Sequence, residues 1–327
     1  DYALVKPDGS EYSPQSYEKI NVKLYRIEWK TAQQQGVYDR INTLYQREEI
    51  LESEQNIGVN SFSGNFVIKP EKSGEYIIRG ETKDNKGRTA FTEFTFYSTG
   101  SEWVRWGGDN AEGINLMLEK SSYKVGEKAR IMLQSPLPKG KYLVTIEREG
   151  IFEEKVYDFS GSANFIEITA KEEYVPVFYV AVTSYGKRTE EPPKKYGDPD
   201  LGKPKGYFGI TTVYVSTETK EINLVIQSDK KSYKPGEEAE YTIQATRDGK
   251  PLPNTEITFL AVDRGVLDLI NYHIPNPISF FYSAYKFPLG IYGADSRSLL
   301  IDPVTYEMKN LFGGDDGSKG PNIRKDF

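Results

Sequence analysis

Apolar and polar residues alternate with a period of two in short runs along most of the chain, the pattern of half-buried β-strands. Such runs include Val22-Leu24-Tyr25-Ile27-Trp29, Phe66-Ile68, Tyr76-Ile78 and residues 91–97, 143–146, 165–168, 177–182, 210–215 and 257–262. They are rich in β-branched and aromatic residues, which fit a pleated surface. Turn-forming stretches separate them, among them Asp84-Asn85-Lys86-Gly87, residues 136–140 and Asp248-Gly249-Lys250-Pro251. Two segments are candidates for helix. In residues 37–54 apolar and polar positions mix without a clean period, and at residues 276–282 Asn276 is placed to cap and Pro277 to fill the first helical position. Short strands at this spacing predict an all-β chain built of antiparallel β-sandwiches of immunoglobulin- or fibronectin-like architecture.

The pattern repeats. Residues 114–135 read INLMLEKSSYKVGEKARIMLQS and residues 222–245 read INLVIQSDKKSYKPGEEAEYTIQA, so that S-Y-K-x-G-E-x-A starts at Ser122 and again at Ser232. An offset of 110 residues is about one sandwich domain. Each copy predicts two strands joined through a tight turn at Gly126 or at Pro235-Gly236. Three units follow: residues 1–100, 101–218 and 219–327. The first lacks the Y-K-x-G-E opening, so its first strand or strands are expected before Asp1. The third has only about fifty residues of clear strand pattern, and its remaining strands are expected after Phe327.

Composition narrows the chemistry. With no Cys there is no disulfide, thiolate nucleophile or Cys-ligated zinc, and with one His, His273, there is no His-rich metal site. Basic and acidic residues are scattered and leave a net charge of −6, which is no footprint for nucleic acid. No run of about 18 apolar residues is present to span a bilayer.

Local candidates have plain structural readings. The charged, Pro-rich residues 186–206 predict a long solvated hairpin loop, with a partner-binding loop as the alternative. Asp315-Asp316 with Asp302 matches no calcium-loop spacing, and His273 is expected to be a hydrogen-bonded structural residue. Glu153-Glu154 and Glu172-Glu173 are adjacent in sequence and point apart if they lie in strands, so neither makes an acid–base pair. Trp103 and Trp106 are expected to pack at a unit junction rather than to stack on a sugar. From residue 303 to 322 the alternation fades into Gly-Gly-Asp-Asp-Gly-Ser-Lys-Gly-Pro, which can bury almost nothing and predicts a mobile, exposed stretch. It is either a frayed end or an internal loop.

Taken together, Tyr123-Lys124-Val125-Gly126-Glu127-Lys128-Ala129, Gln134-Ser135-Pro136, Glu147-Arg148-Glu149-Gly150, Tyr233-Lys234-Pro235-Gly236-Glu237 and Val262-Asp263-Arg264-Gly265-Val266-Leu267, with Tyr272 and Pro275-Asn276-Pro277 after them, resemble the bacterial branch of the α2-macroglobulin family. The family commonly has Glu where this chain has Arg264. The resemblance implies tandem seven-stranded macroglobulin-like sandwiches from a periplasmic or secreted protease trap, lipid-anchored in some full-length forms. It implies endopeptidases and neighbouring macroglobulin-like domains as partners, with no enzymatic activity and no cofactor or metal. It also implies a bait segment, cut by a protease before the trap closes. By position residues 303–322 match the bait, with Lys309, Lys319 and Arg324 as trypsin-like cut points, Leu311 and Phe312 as chymotrypsin-like ones, and Gly313 and Gly314 supplying flexibility. The family's C-x-E-Q thioester motif does not occur in this sequence. A surface adhesin or carbohydrate-binding array of β-sandwiches is the competing expectation.

Overall fold

The computed structural model describes residues 1–14, 18–35, 41–84, 86–107, 113–192, 194, 202, 204–234, 236–247, 249–262, 267, 269, 273, 275–287, 299–301 and 308–310. Its first part contains β1 (Tyr2–Ala3), β2 (Lys19–Gln35), β3 (Ile41–Gly58), β4 (Ser63–Gly64), β5 (Gly74–Lys83) and β6 (Thr89–Ser98). Strands β3, β2, β5 and β6 form one antiparallel sheet in that order, and β1 pairs with β4. The helix expected over residues 37–54 is therefore not formed in its described part, residues 41–54. From Ile41 onward the segment is β3, laddered to β2 from Gln35↔Ile41 to Lys19↔Gly58. Its unclear local period carried little information, and pairing to a long neighbour satisfies its backbone groups, so tertiary context decided.

This sheet is buried on one face at one end and on both faces further along. Ile20, Val22 and Leu24 are buried on one face, where Val59, Phe66 and Ile68 help cover Ile20 and Val22. Further along, Tyr76, paired with Arg26, is buried on that same face, and Ile27 and Ile77 are buried on the opposite one. Between the two stretches lies a bulge: Leu24 pairs with Ser53 but Tyr25 pairs with Leu51, leaving Glu52 as the extra residue. Glu52 accepts a hydrogen bond from Arg26 Nε. Phe66 and Ile68 were expected in a strand. They lie outside any ladder, so their alternation reflects burial rather than pairing.

The best-packed part follows, with β7 (Asn115–Leu118), β8 (Ser122–Tyr123), β9 (Lys128–Gln134), β10 (Lys139–Glu147), β11 (Ile151–Ser160), β12 (Phe165–Thr169), β13 (Val177–Gly186) and β14 (Lys205–Val215). One sheet runs β11-β10-β13-β14-β8 and the other β12-β9-β7. Their inner faces interdigitate as a sandwich: Ile131 and Leu133 from β9, Ile166 and Ile168 from β12, Tyr142 and Val144 from β10, Phe178 and Val180 from β13, and Val213 from β14. Complete burial of each such side chain contributes roughly 1.5–3 kcal/mol, so this cluster is the stability centre. Two details depart from a purely antiparallel seven-stranded expectation. Among the described residues there are eight strands, and the two-residue β8 runs parallel to β14, which delivers Tyr123 into the core.

The last part is sparser, with β15 (Asn223–Ser228), β16 (Tyr241–Arg247), β17 (Lys250–Pro251), α1 (Pro277–Phe281), β18 (Leu299–Ile301) and β19 (Met308–Asn310). Helix α1 forms as its sequence predicts: the Asn276 side chain accepts from the Ile278 N–H at 2.9 Å and the Ser279 N–H at 3.4 Å. Residues 257–262, expected as a strand, have no ladder among the described residues, and Phe259, Leu260 and Val262 are exposed.

Candidate functional site

The repeated Y-K-x-G-E segment has one local chemistry in both copies. The Glu127 N–H donates to the Lys124 carbonyl at 2.9 Å and the Glu237 N–H to the Lys234 carbonyl at 3.1 Å. Such turns need a positive φ at their third residue, and Gly126 and Gly236 sit at +85° and +86°. The Glu carboxylate then reaches back to the first N–H of the turn, 3.0 Å from Lys124 N and 3.0 Å from Lys234 N. Tyr hydroxyls accept from Lys120 N and Lys230 N, each at 3.2 Å. The same hydrogen bonds thus account for Tyr, Gly and Glu in the motif.

The flanking strands pair in the same register in both copies: Leu118 pairs with Ile131 in the first, and Ser228 pairs with Tyr241, at the same offset of 110 residues, in the second. What moves is the apolar run of the first strand, so that the sequence counterpart of Leu118 is Ile226, which pairs with Ile243. The second copy carries two extra residues before its motif. A shift by two keeps every side chain on its face.

Charged contacts tie the chain after β14 to the sandwich. In the turn at Glu218–Lys220, Glu218 pairs with Lys124 at 2.9 Å, and Lys220 pairs with Glu172, which also accepts from the Thr219 hydroxyl at 3.2 Å. On the neighbouring surface Glu153 accepts from Lys171 and, at 3.0 Å, from the Tyr174 hydroxyl. Each partner shifts the carboxyl it binds: Lys171, Lys220 and Lys124 hold Glu153, Glu172 and Glu218, respectively, below the ordinary carboxylate range. Burial, with help from Glu153, pushes the Tyr174 hydroxyl up to about 12. Glu172 and Glu173 lie in a short 3-10 turn rather than a strand, and Glu173 pairs with Lys171 at 3.6 Å. These carboxylates are ion-pair partners of lysines and form no acid–base pair.

The other sequence candidates fall as follows. Trp106 is buried edge-on to Tyr97, with ring centres 5.8 Å apart, and Trp103 Nε1 donates to the Ser135 carbonyl at 3.2 Å, so both indoles pack against protein. His273 is exposed, and its neighbours at 270–272 and 274 lie outside the described residues. The 186–206 segment links antiparallel β13 and β14, which close with Gly186↔Lys205. Among the described residues no group of three or more His, Asp or Glu could hold a metal ion. Lys309 lies in β19, whose backbone pairs with β18 as Leu300↔Lys309. Leu311, Phe312, Gly313, Gly314, Lys319 and Arg324, like Asp302, Asp315 and Asp316, lie outside the described residues.

One residue the sequence marked only as part of E-R-E-G has a defined setting. Arg148 Nη1 donates to the Val175 carbonyl at 3.2 Å and the Val177 carbonyl at 3.4 Å, and its guanidinium lies 5.2 Å from the ring centre of Phe152 and 4.9 Å from that of Phe287. No local signal in the sequence points to Phe287 as its partner, because the two lie far apart in the chain and share no motif.

Known proteins place these features in context. Residues 114–269 match the alpha-2-macroglobulin bait region domain, a stretch that covers the sandwich and the second repeat and ends before residue 303. An alpha-2-macroglobulin homolog of Nostoc is 27% identical over 72% of this chain and 12% of its own length, and alpha-2-macroglobulin of Pasteurella multocida is 23% identical over 88% of this chain and 14% of its own. The chain therefore spans about an eighth of the length of these relatives. A crystal structure of a Salmonella alpha-2-macroglobulin mutant superposes with a TM-score of 0.30 at 17% identity, covering 84% of this chain and 17% of that one, a likeness too slight to carry a structural argument. The domain match, the curated relatives and the all-β build agree in making the chain similar to members of the alpha-2-macroglobulin family.

Proposed function

We propose that this chain is the bait-bearing part of a protease inhibitor that is cut by a target endopeptidase and then traps it through a change of shape. The match of residues 114–269 to a bait region domain is the observation that carries this reading. The physics supports it. A protease needs a locally unfolded stretch of about ten residues, and the sandwich denies one because its backbone is held in ladders. Residues 303–322, rich in Gly and Asp, form no apolar pattern that would resist opening. Lys309 in the short β18–β19 ribbon needs only a three-residue pairing to part before it is cut.

In this proposal residues 1–100, 101–218 and 219–327 are three macroglobulin-like units, and the working protein is extracytoplasmic, periplasmic or secreted. No described helix is long and apolar enough to cross a membrane. The chain's role is to present a segment to endopeptidases, with no catalysis of its own.

The test is limited digestion with several unrelated proteases, with products read by intact mass. First cuts between residues 303 and 322, leaving residues 1 to about 300 whole, are expected for every protease. First cuts inside residues 186–206, with 303–322 protected, would refute the reading.

A further inference from the structure

A shape change on cleavage needs a contact that has two states, and nothing in the sequence locates one. We propose that residues 282–287 are a detachable strap, closed over a preformed cup on the sandwich made by Arg148 and Tyr179. The bearing of the strap on trapping rests on the protease reading; its docking does not.

Among the described residues, the contacts that define the closed state lie at the strap's two ends. At its end the Phe287 carbonyl accepts from the Tyr179 hydroxyl at 2.8 Å, and the Phe287 ring lies 4.9 Å from the Arg148 guanidinium. At its start Tyr282 packs against the edge of the sandwich core, with Lys220 Nζ 6.0 Å from its ring centre.

Both halves are built to survive separation. The strap carries its own hydrogen bonds: Lys286 N–H donates to the Ser283 carbonyl and Phe287 N–H to the Ala284 carbonyl, each at 3.0 Å, around a 3-10 turn at Ala284–Lys286. It can leave without unravelling. On the sandwich side Arg148 is pinned by the Val175 and Val177 carbonyls and stays beside Phe152, while Tyr179 belongs to the laddered strand β13. The cup therefore remains formed when the strap is gone. Among the described residues, what opening breaks is one hydrogen bond, cation–π contacts and the seat of Tyr282, a far smaller set than the sandwich core.

Position gives the strap its use. Among the described residues Phe287 is the last before β18, and the strands after it lead into the stretch proposed for cleavage. A change in that stretch acts on the strap first. The strap in turn rests on the Arg148–Phe152 edge of the sandwich, so closing or opening it alters the surface that the sandwich offers.

The test is hydrogen–deuterium exchange read by mass spectrometry on the whole 327-residue chain, comparing the unsubstituted protein with Tyr179→Phe and Phe287→Ala. Each variant is expected to exchange several-fold faster across residues 280–287, with unchanged exchange across 128–134 and 177–182. Unchanged exchange across the strap in both variants would overturn the proposal. So would equal acceleration throughout the sandwich, since the strap would then be part of the core rather than a separate element. The same samples are then digested. Faster first cutting after residue 287 in both variants is expected, and an unchanged cutting rate overturns the coupling. Absence of any preferred cut in 303–322 in the unsubstituted chain would count against the protease reading alone and leave the exchange result standing.

Discussion

Gly107 packs so closely against the indole of Trp29 that a Cβ at position 107 would stand 1.8 Å from the ring. The ring has little room to retreat, because Trp29 Nε1 donates to Glu75 Oε2 at 3.1 Å. Next to it Trp106 is edge-on to Tyr97. This contact fastens the chain between β6 and β7 onto the face where Ile27 and Ile77 are buried. Gly107→Ala is expected to lower stability by about 1–3 kcal/mol through overpacking. Gly150, with open space around its Cβ position, is the control, and Gly150→Ala should stay within about 0.5 kcal/mol. Equal melting temperatures for the two variants would refute the close contact.

The two copies of the Y-K-x-G-E turn allow a matched comparison. Alanine at either Gly126 or Gly236 must adopt a positive φ, a conformation that costs about 1–2 kcal/mol for an L-residue. Gly126→Ala should remove about that much from the unfolding free energy of the sandwich. Gly236→Ala should leave the same transition unmoved, because the β15–β16 hairpin supplies none of the sandwich core. Urea denaturation followed by indole fluorescence measures both.

Burial separates the repeats just as sharply. Ile131 is fully buried, while Tyr241, its counterpart in the second copy, is 45% exposed. Ile131→Ala is expected to cost about 2–5 kcal/mol, and Tyr241→Ala less than about 1 kcal/mol. Similar losses at both positions would mean that the second hairpin is packed as tightly as the first.

Ion pairs set the acid response. Glu127, Glu153, Glu172 and Glu218 are held below the ordinary carboxylate range, chiefly by hydrogen bonds from Lys120, Lys171, Lys220 and Lys124 respectively. Between the folded and unfolded values the unfolded chain binds more protons, so stability rises with pH there. The contribution is present above the unfolded carboxylate range and is lost as pH falls through the folded one. Denaturation midpoints should drop as the pH is lowered below about 4.5, and Glu153→Gln should flatten that drop. A midpoint independent of pH down to about 3 would refute it.

Tyrosines set the alkaline limit by the opposite sign. Burial pushes the Tyr76 and Tyr174 hydroxyls up to about 12. In the window between the ordinary tyrosine value of about 10 and about 12 the folded state binds more protons, so stability falls as pH rises through it. Ultraviolet titration should show tyrosines that ionise late or only on unfolding. Titration of every tyrosine at the ordinary value in the folded protein would refute this.

Much of the fold was legible in local pattern. The strand runs at residues 91–97, 143–146, 165–168, 177–182 and 210–215 all lie in ladders, and Asn276 caps the helix that its neighbour Pro277 begins. The repeat also identified the turn glycines. The pattern was misleading where pairing mattered more than period: residues 41–54 are strand because β2 lies beside them, and residues 257–262 alternate without a ladder. Of the candidate site, Lys309 lies in β19 and the other cut points lie outside the described residues, so their assignment still rests on sequence resemblance.

The sequence by itself determined the strand content, the tandem repeat, the turn chemistry and the family resemblance, because each of these is written in residues close together in the chain. Which repeat owns a closed core, where the first sheet becomes buried on its second face, and that Arg148 meets Phe287 and Trp29 meets Gly107 were decided only by the tertiary structure. Those contacts join residues far apart in the chain. Their energies depend on distance and burial in space, which no local period encodes.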